Sequence, residues 1–226
     1  MELRDKILHS AYNLLAEKGY EKTTIADIIK EAKCSKGGFY HHFKSKEEIV
    51  EAITMDYIKV LRGYYEDVIQ ESEGSVIDLL NNIIITINRY KEEQIKEWPK
   101  LTKIFAFSGN HLVINKLAYH FELITTEFYT KLFYMGIEKG IFNIKYPQFL
   151  AGMWTREILR LYSMANKVIY LDDLEDLNTF ECLLDFIEDL FNNSLGYNNR
   201  IIKIKESTLA YVDKGRKKIR EMNKQN

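Results

Sequence analysis

Cysteine is nearly absent from this chain of 226 residues: Cys34 and Cys182 are the only two, and they lie far apart. No disulfide framework can be drawn from such a pair, which fits a reducing compartment. Proline also occurs only twice, at 99 and 147, and most of the eleven glycines fall between periodic stretches. No apolar run approaches the ~18 residues needed to propose a membrane span. The most apolar patch, Ile83-Ile84-Ile85, is closed off by Asn82 before it and by Asn88 with Arg89 after it. The opening Met-Glu-Leu-Arg-Asp-Lys is charged and enters a helical pattern at once, so no secretory leader and a cytoplasmic location are expected. Sustained period-two alternation is missing, which argues against a sheet. Also missing are a nucleophile with an orienting base, metal-ligand spacing and a phosphate-cradling glycine loop. Neither catalysis nor a metal or cofactor is therefore expected.

What is present is a chain with 46% apolar and 29% charged residues, enough for a packed globular core. The formal net charge of −1 conceals a strong asymmetry. Residues 1–46 carry nine Lys or Arg against six Asp or Glu, residues 47–199 fourteen against twenty-four, and residues 200–226 nine against three. A basic head on an acidic body holds polyanions at the head.

The apolar periodicity is helical throughout. Leu3, Ile7, Ala11, Leu14 and Leu15 form one stripe, and Gly19 supplies its stop. Thr23 or Thr24 can cap a second helix with Ile25, Ile28, Ile29 and Ala32 on one face. Ser35 caps a third, and Ser45 followed by Glu47 and Glu48 starts a fourth that runs to about Gln70. Ser75 with Asp78 reads as a capping box for a helix to about Lys91, and Trp98-Pro99 suits another helix start. Further helices are expected over 111–139 before Gly140, from Pro147 to about Lys167, and from Leu174 to Leu195 before Gly196. The fold class expected is all-α, with a head at 1–46, a helical body at 47–199 and a basic helical extension at 200–226.

Two short helices and a tight turn at 24–42 form a compact unit whose second helix can enter a DNA major groove. Ser35, Lys36 and Gly37 occupy the end that approaches base edges and phosphates. Gly37 and Gly38 allow close approach of backbone to DNA, although Gly38 costs the helix about 1 kcal/mol against alanine. Lys36 can read guanine or neutralise a phosphate. Tyr40, His41, Lys46 and Thr23 or Thr24 suit phosphate oxygens, and Phe39 and Phe43 suit the packing side. Adjacent His41 and His42 diverge on a helix and make a poor metal site, and Cys34 reads as a small buried hydrophobe.

Thr24-Ile25-Ala26-Asp27-Ile28, Ser35-Lys36-Gly37, Tyr40, His42-Phe43 and Lys46-Glu47 together resemble the N-terminal signature of the TetR family of bacterial regulators, over about residues 7–50. The resemblance implies a three-helix helix-turn-helix head on a larger helical domain that binds a ligand and dimerises. It also brings His42 among the residues that touch DNA. Cys34 departs from the pattern, because an aliphatic residue usually fills that turn position.

In the body, aromatic residues crowd positions 57–170, and buried phenols need partners that a pocket can offer. Tyr90, Trp98, Phe105, Tyr119, Phe128 and Trp154 are the candidate lining. With so acidic a body, the ligand could be a lipophilic cation held by aromatic faces, a neutral lipid or an aromatic metabolite. His111 and His120 read as surface or cap residues, either of which could add a polar contact. Leu150, Met153, Trp154, Ile158, Leu161, Leu183, Phe186, Ile187 and Leu190 lie at helical spacing over 147–195 and resemble the family's homodimer seam. Residues 200–226 could form a solvated terminal helix, contact nucleic acid a second time, or dock on the acidic body.

These readings lead to a repressor that binds double-stranded operator DNA as a homodimer and releases it when a small lipophilic or aromatic ligand enters the body. Two alternatives stay open: a DNA-binding adaptor whose body takes a protein partner, and a carrier or enzyme that retains the head.

Overall fold

The computed structural model describes residues 2–71, 74–93, 110–171 and 174–224. Among these the chain is all-α. Helices α1 (Leu3–Lys22), α2 (Ile25–Glu31), α3 (Lys36–His42) and α4 (Lys46–Glu71) are followed by α5 (Val76–Glu93) and α6 (His111–Glu138). The described part closes with α7 (Pro147–Leu171), α8 (Leu174–Ser194) and α9 (Lys205–Asn223). The helix expected to start at Trp98-Pro99 lies outside the described residues. No described helix is long and apolar enough to cross a membrane.

Local chemistry sets these boundaries. Ser75 and Asp78 form the reciprocal cap at the start of α5, each side chain accepting from the other's backbone N–H. Gly140 and Gly196 end α6 and α8 at φ 68° and 84°, where residues with a Cβ are strained. The Ile141 N–H returns to the Gly136 carbonyl and the Tyr197 N–H to that of Asn192, so the last turns are closed.

Contacts group the described residues into two units. The first holds 2–61 with 110–121, and the second holds 62–93 with 122–224. The first is built on Ile7, Leu8, Ala11, Leu14, Ile28, Ala32, Phe39, Phe43 and Ile49. In the second, Trp154 of α7 stacks on Phe191 of α8 at 3.9 Å and meets Phe133 of α6 edge to face. Its indole Nε1–H donates to Ser194 Oγ at 3.0 Å, which satisfies the one polar atom of this buried side chain.

The last helix belongs to the core of the second unit. Thr208, Tyr211 and Val212 are buried, and α9 packs on α5, α7 and α8. Of the three readings open for residues 200–226, docking on the acidic body describes this inward side. Arg200 pairs with Asp185, Glu188 and Asp189, Lys205 with Asp185, and Lys214 with Glu92. Two buried side chains order the incoming strand of chain. Asn192 Oδ1 accepts from the N–H groups of Ile201 and Ile202, while its Nδ2 donates to the Glu188 and Ile202 carbonyls. Glu188 Oε1 accepts from the N–H groups of Ile204 and Lys205, and so caps α9 from another helix.

Replacing Asn192 by leucine would take from the buried Ile202 both the acceptor of its N–H and the donor to its carbonyl. Asn192→Leu is expected to cost about 3 kcal/mol of stability, read as a lower midpoint in chemical unfolding.

Candidate nucleic-acid interface

The helix-turn-helix is built from two helix caps and one strained turn. Thr24 Oγ1 accepts from the Asp27 N–H at 3.1 Å and Asp27 Oδ2 accepts from the Thr24 N–H at 2.9 Å, a complete capping box on α2. Lys18 donates to the same carboxylate at 2.7 Å, and with Thr24 it holds the Asp27 carboxyl well below the usual carboxylate range. The cap therefore stays ionised in mild acid. At the turn Lys33 sits at φ 52°, in the left-handed region that L side chains rarely adopt. Cys34 is partly buried against the head core, as a small hydrophobe would be. Ser35 Oγ then accepts from the Gly38 N–H at 3.0 Å and starts α3.

α3 has two unlike faces. Phe39 and Phe43 are buried, with ring centroids 6.4 Å apart. Lys36, Gly37, Tyr40 and His41 are exposed, and His42 partly so. The two glycines differ. A Cβ at Gly37 would meet nothing within 4 Å, whereas one at Gly38 would lie 3.2 Å from both Ser35 Oγ and Leu3 Cδ2. Gly37 keeps the outer face bare, and Gly38 makes room for the cap and for α1.

Thr23 and Lys46, two of the candidate phosphate ligands, are engaged within the head. Thr23 is fully buried, and its hydroxyl donates to the Gly19 carbonyl at 2.7 Å. Lys46 Nζ donates to the Tyr20 and Thr23 carbonyls at 2.6 and 2.9 Å and lies 3.9 Å over the Tyr20 ring. The Tyr20 hydroxyl donates to Glu47 Oε1, and burial, reinforced by that carboxylate, pushes the phenol pKa up. Two features of this unit carried no sequence signal. Buried Asn110 accepts from the Tyr20 N–H and donates to the Leu15 carbonyl. Glu51 of α4 accepts from both Lys116 and His120 of α6.

The candidate ligand residues are dispersed. Tyr119, with Glu51, Asn115, Lys116 and His120, lines an open depression of about 340 Å³ in the first unit. In the second unit Phe128 and Trp154 flank Tyr129 at 5.6 and 5.5 Å, and Tyr90 packs on Tyr64 at 4.7 Å. Trp154 is 1% exposed and is a core residue. Trp98 and Phe105 lie outside the described residues. Among the described residues no group of three or more His, Cys, Asp or Glu side chains could hold a metal ion.

Residues 7–53 match the family described as bacterial regulatory proteins, tetR family. Residues 7–53 are a helix-turn-helix head of the TetR type. The chain is 39% identical over 66 residues to the HTH-type transcriptional repressor KstR2 of Mycolicibacterium smegmatis, covering 29% of this chain and 32% of that one. Against KstR2 of Rhodococcus jostii it is 30% identical over 139 residues, 61% of this chain and 65% of the relative. The chain thus spans about a third of the first and just under two thirds of the second. A crystal structure of a TetR-family regulator from Syntrophomonas wolfei superposes with a TM-score of 0.62 at 27% identity, covering 84% of this chain and 94% of that one. The TetR assignment covers the capped turn and the two-faced α3 together.

Removing the backbone flexibility of Gly37 has two opposed effects in a TetR head. Gly37→Ala is expected to stabilise α3 by up to about 1 kcal/mol, seen in thermal unfolding, while weakening duplex binding through the added Cβ on the open face. Gly38→Ala is expected to gain less, because its Cβ crowds Ser35 and Leu3.

Proposed function

We propose that this TetR-family chain is a repressor that binds a pseudo-palindromic operator as a homodimer and lets go when a small lipophilic molecule occupies the body. The observation that carries the reading is α3, whose inward face is anchored by buried phenylalanines while Lys36, Gly37, Tyr40 and His41 stay exposed. A helix so divided can be pressed into a major groove without disturbing the core that positions it.

Residue roles follow from this geometry. Lys36 reads a base or neutralises a phosphate, and Tyr40, His41 and His42 reach phosphate oxygens. Thr24 and Ser35 bring their helix starts to the backbone of the duplex, with Gly37 and Gly38 beside them. Lys46 and Thr23 act by fixing the ends of α1 and α4. The two KstR2 relatives are named transcriptional repressors, which supports the sign of regulation.

Dimerisation through α7 and α8 is supported by how their apolar residues divide. Ile158, Leu161 and Ile187 are buried within the chain, whereas Phe149 and Phe186 are 72% and 54% exposed and Leu150, Met153 and Leu190 partly so. Two heads held by such a seam read half-sites about 34–36 Å apart, or a multiple of that. An effector that shifts α4 disturbs the Lys46 contacts at its start, and coupling of about 1–3 kcal/mol changes operator affinity five- to a hundredfold or so.

Selection on a randomised duplex library at near-physiological salt tests the reading, with a two-fold symmetric motif as the expected product. Sequence-indifferent binding, or none, would overturn it. Tyr40→Ala is expected to weaken binding to all duplexes alike, and Lys36→Ala to alter the selected motif where Lys36 contacts a base. Phe186→Glu is expected to shift the protein toward monomer in sedimentation and to weaken operator binding with it.

A further inference from the structure

Lys91, near the end of α5, is set over an aromatic ring. Its Nζ lies 4.5 Å from the centroid of the Tyr162 ring. The Tyr162 hydroxyl donates to Asn88 Oδ1 at 2.8 Å, and the amide of Asn88 donates to Ser207 and Thr208 of α9. Tyr90 and Tyr64 form a ring pair beside it in sequence. Among the described residues no carboxylate pairs with this ammonium. The neighbouring Glu92 is taken by Lys214, and Arg89 is exposed. Other lysines of the same unit meet acids: Lys167 pairs with Asp176 and Lys205 with Asp185.

Burial without an anion pulls the Lys91 pKa down to about 8. An ammonium in such surroundings destabilises the empty protein, and an arriving anion would relieve that cost. The charged end is desolvated while the residue as a whole keeps some exposed surface, through which a head group can reach it. One ammonium over an aromatic face suits a single negative charge carried on an apolar molecule.

We propose that Lys91 binds the head group of an amphiphilic monocarboxylate, with the Tyr162 ring beside it, and that this class of molecule is the effector. This rests on the repressor reading above and reverses the sign of ligand charge that the acidic composition of the body suggests.

Three probes of one chain length separate the possibilities: dodecanoate, dodecanol and dodecyltrimethylammonium, each titrated calorimetrically below its micelle concentration. Dodecanoate is expected to bind the full chain at least tenfold more tightly than the other two. Lys91→Met should abolish that preference without weakening dodecanol binding, and Arg89→Met should preserve it. Ligand-free Lys91→Met should also unfold at a higher temperature than the parent, because it removes a buried charge and no ion pair. Lys91→Gln repeats the binding test should methionine disturb packing. Equal binding of the three probes, binding of none, or a preference that survives loss of Lys91 would overturn the proposal. Recovery of a symmetric duplex motif in the selection is independent of these titrations, so failure here leaves the operator reading standing.

Discussion

The head depends on burial of one side of a helix too short to persist alone. α3 spans Lys36–His42, seven residues including two glycines, well below the ~12–15 at which isolated helices become even marginal in water. Its shape comes from Phe39 and Phe43 entering the core formed by Ile7, Ala11, Ile28 and Ile49. With the inner side fixed in this way, the outer side is free of structural duty. That freedom explains why lysine, glycine, tyrosine and histidine can share it without disturbing the head core. The Ser35 cap and the Lys33 turn set where the helix begins, and the Lys46 contacts fix the chain just beyond its end.

The second unit adds buried polar groups to its cluster of rings. Asn192 and Glu188 project from α8 to satisfy backbone N–H groups of residues 201, 202, 204 and 205, which would otherwise enter the interior unpaired. The resulting path carries α9 over α5, α7 and α8, with Gly215 so close to Ile169 that a Cβ there would lie 3.0 Å from Ile169 Cδ1. Buried polar links such as Tyr162–Asn88–Thr208 then fix the register of three helices relative to one another.

Much of this was legible in the sequence wherever the signal was local. The all-α class, the caps at Thr24, Ser35 and Ser75, and the stops at Gly140 and Gly196 each depend on residues within one turn of one another. The two faces of α3 were also readable, since Phe39 and Phe43 recur at helical spacing. What could not be read depends on partners distant in the chain. Asn110 supporting Tyr20 spans ninety positions, and Lys46 gives no local hint that its ammonium will meet two carbonyls. In α9 the basic residues obscured the apolar spacing of Ile204, Thr208, Tyr211 and Gly215, so its docking was one option among three. The candidate lining residues were chosen for their rings. Rings fill cores as readily as cavities, and Trp154 proved to be core.

The docking of α9 also constrains how the protein is made. Hydrogen bonds from Asn81 and Asn88 of α5 reach partners about 120 positions later, and residues 205–223 pack on α5, α7 and α8. The first unit has all its described parts once residue 121 has been synthesised. The second must wait for about a hundred more, with α5 lacking the helix that later packs on it. The growing chain thus carries a completed head while its body is still unfinished, with apolar surface open to aggregation until the last helix leaves the ribosome.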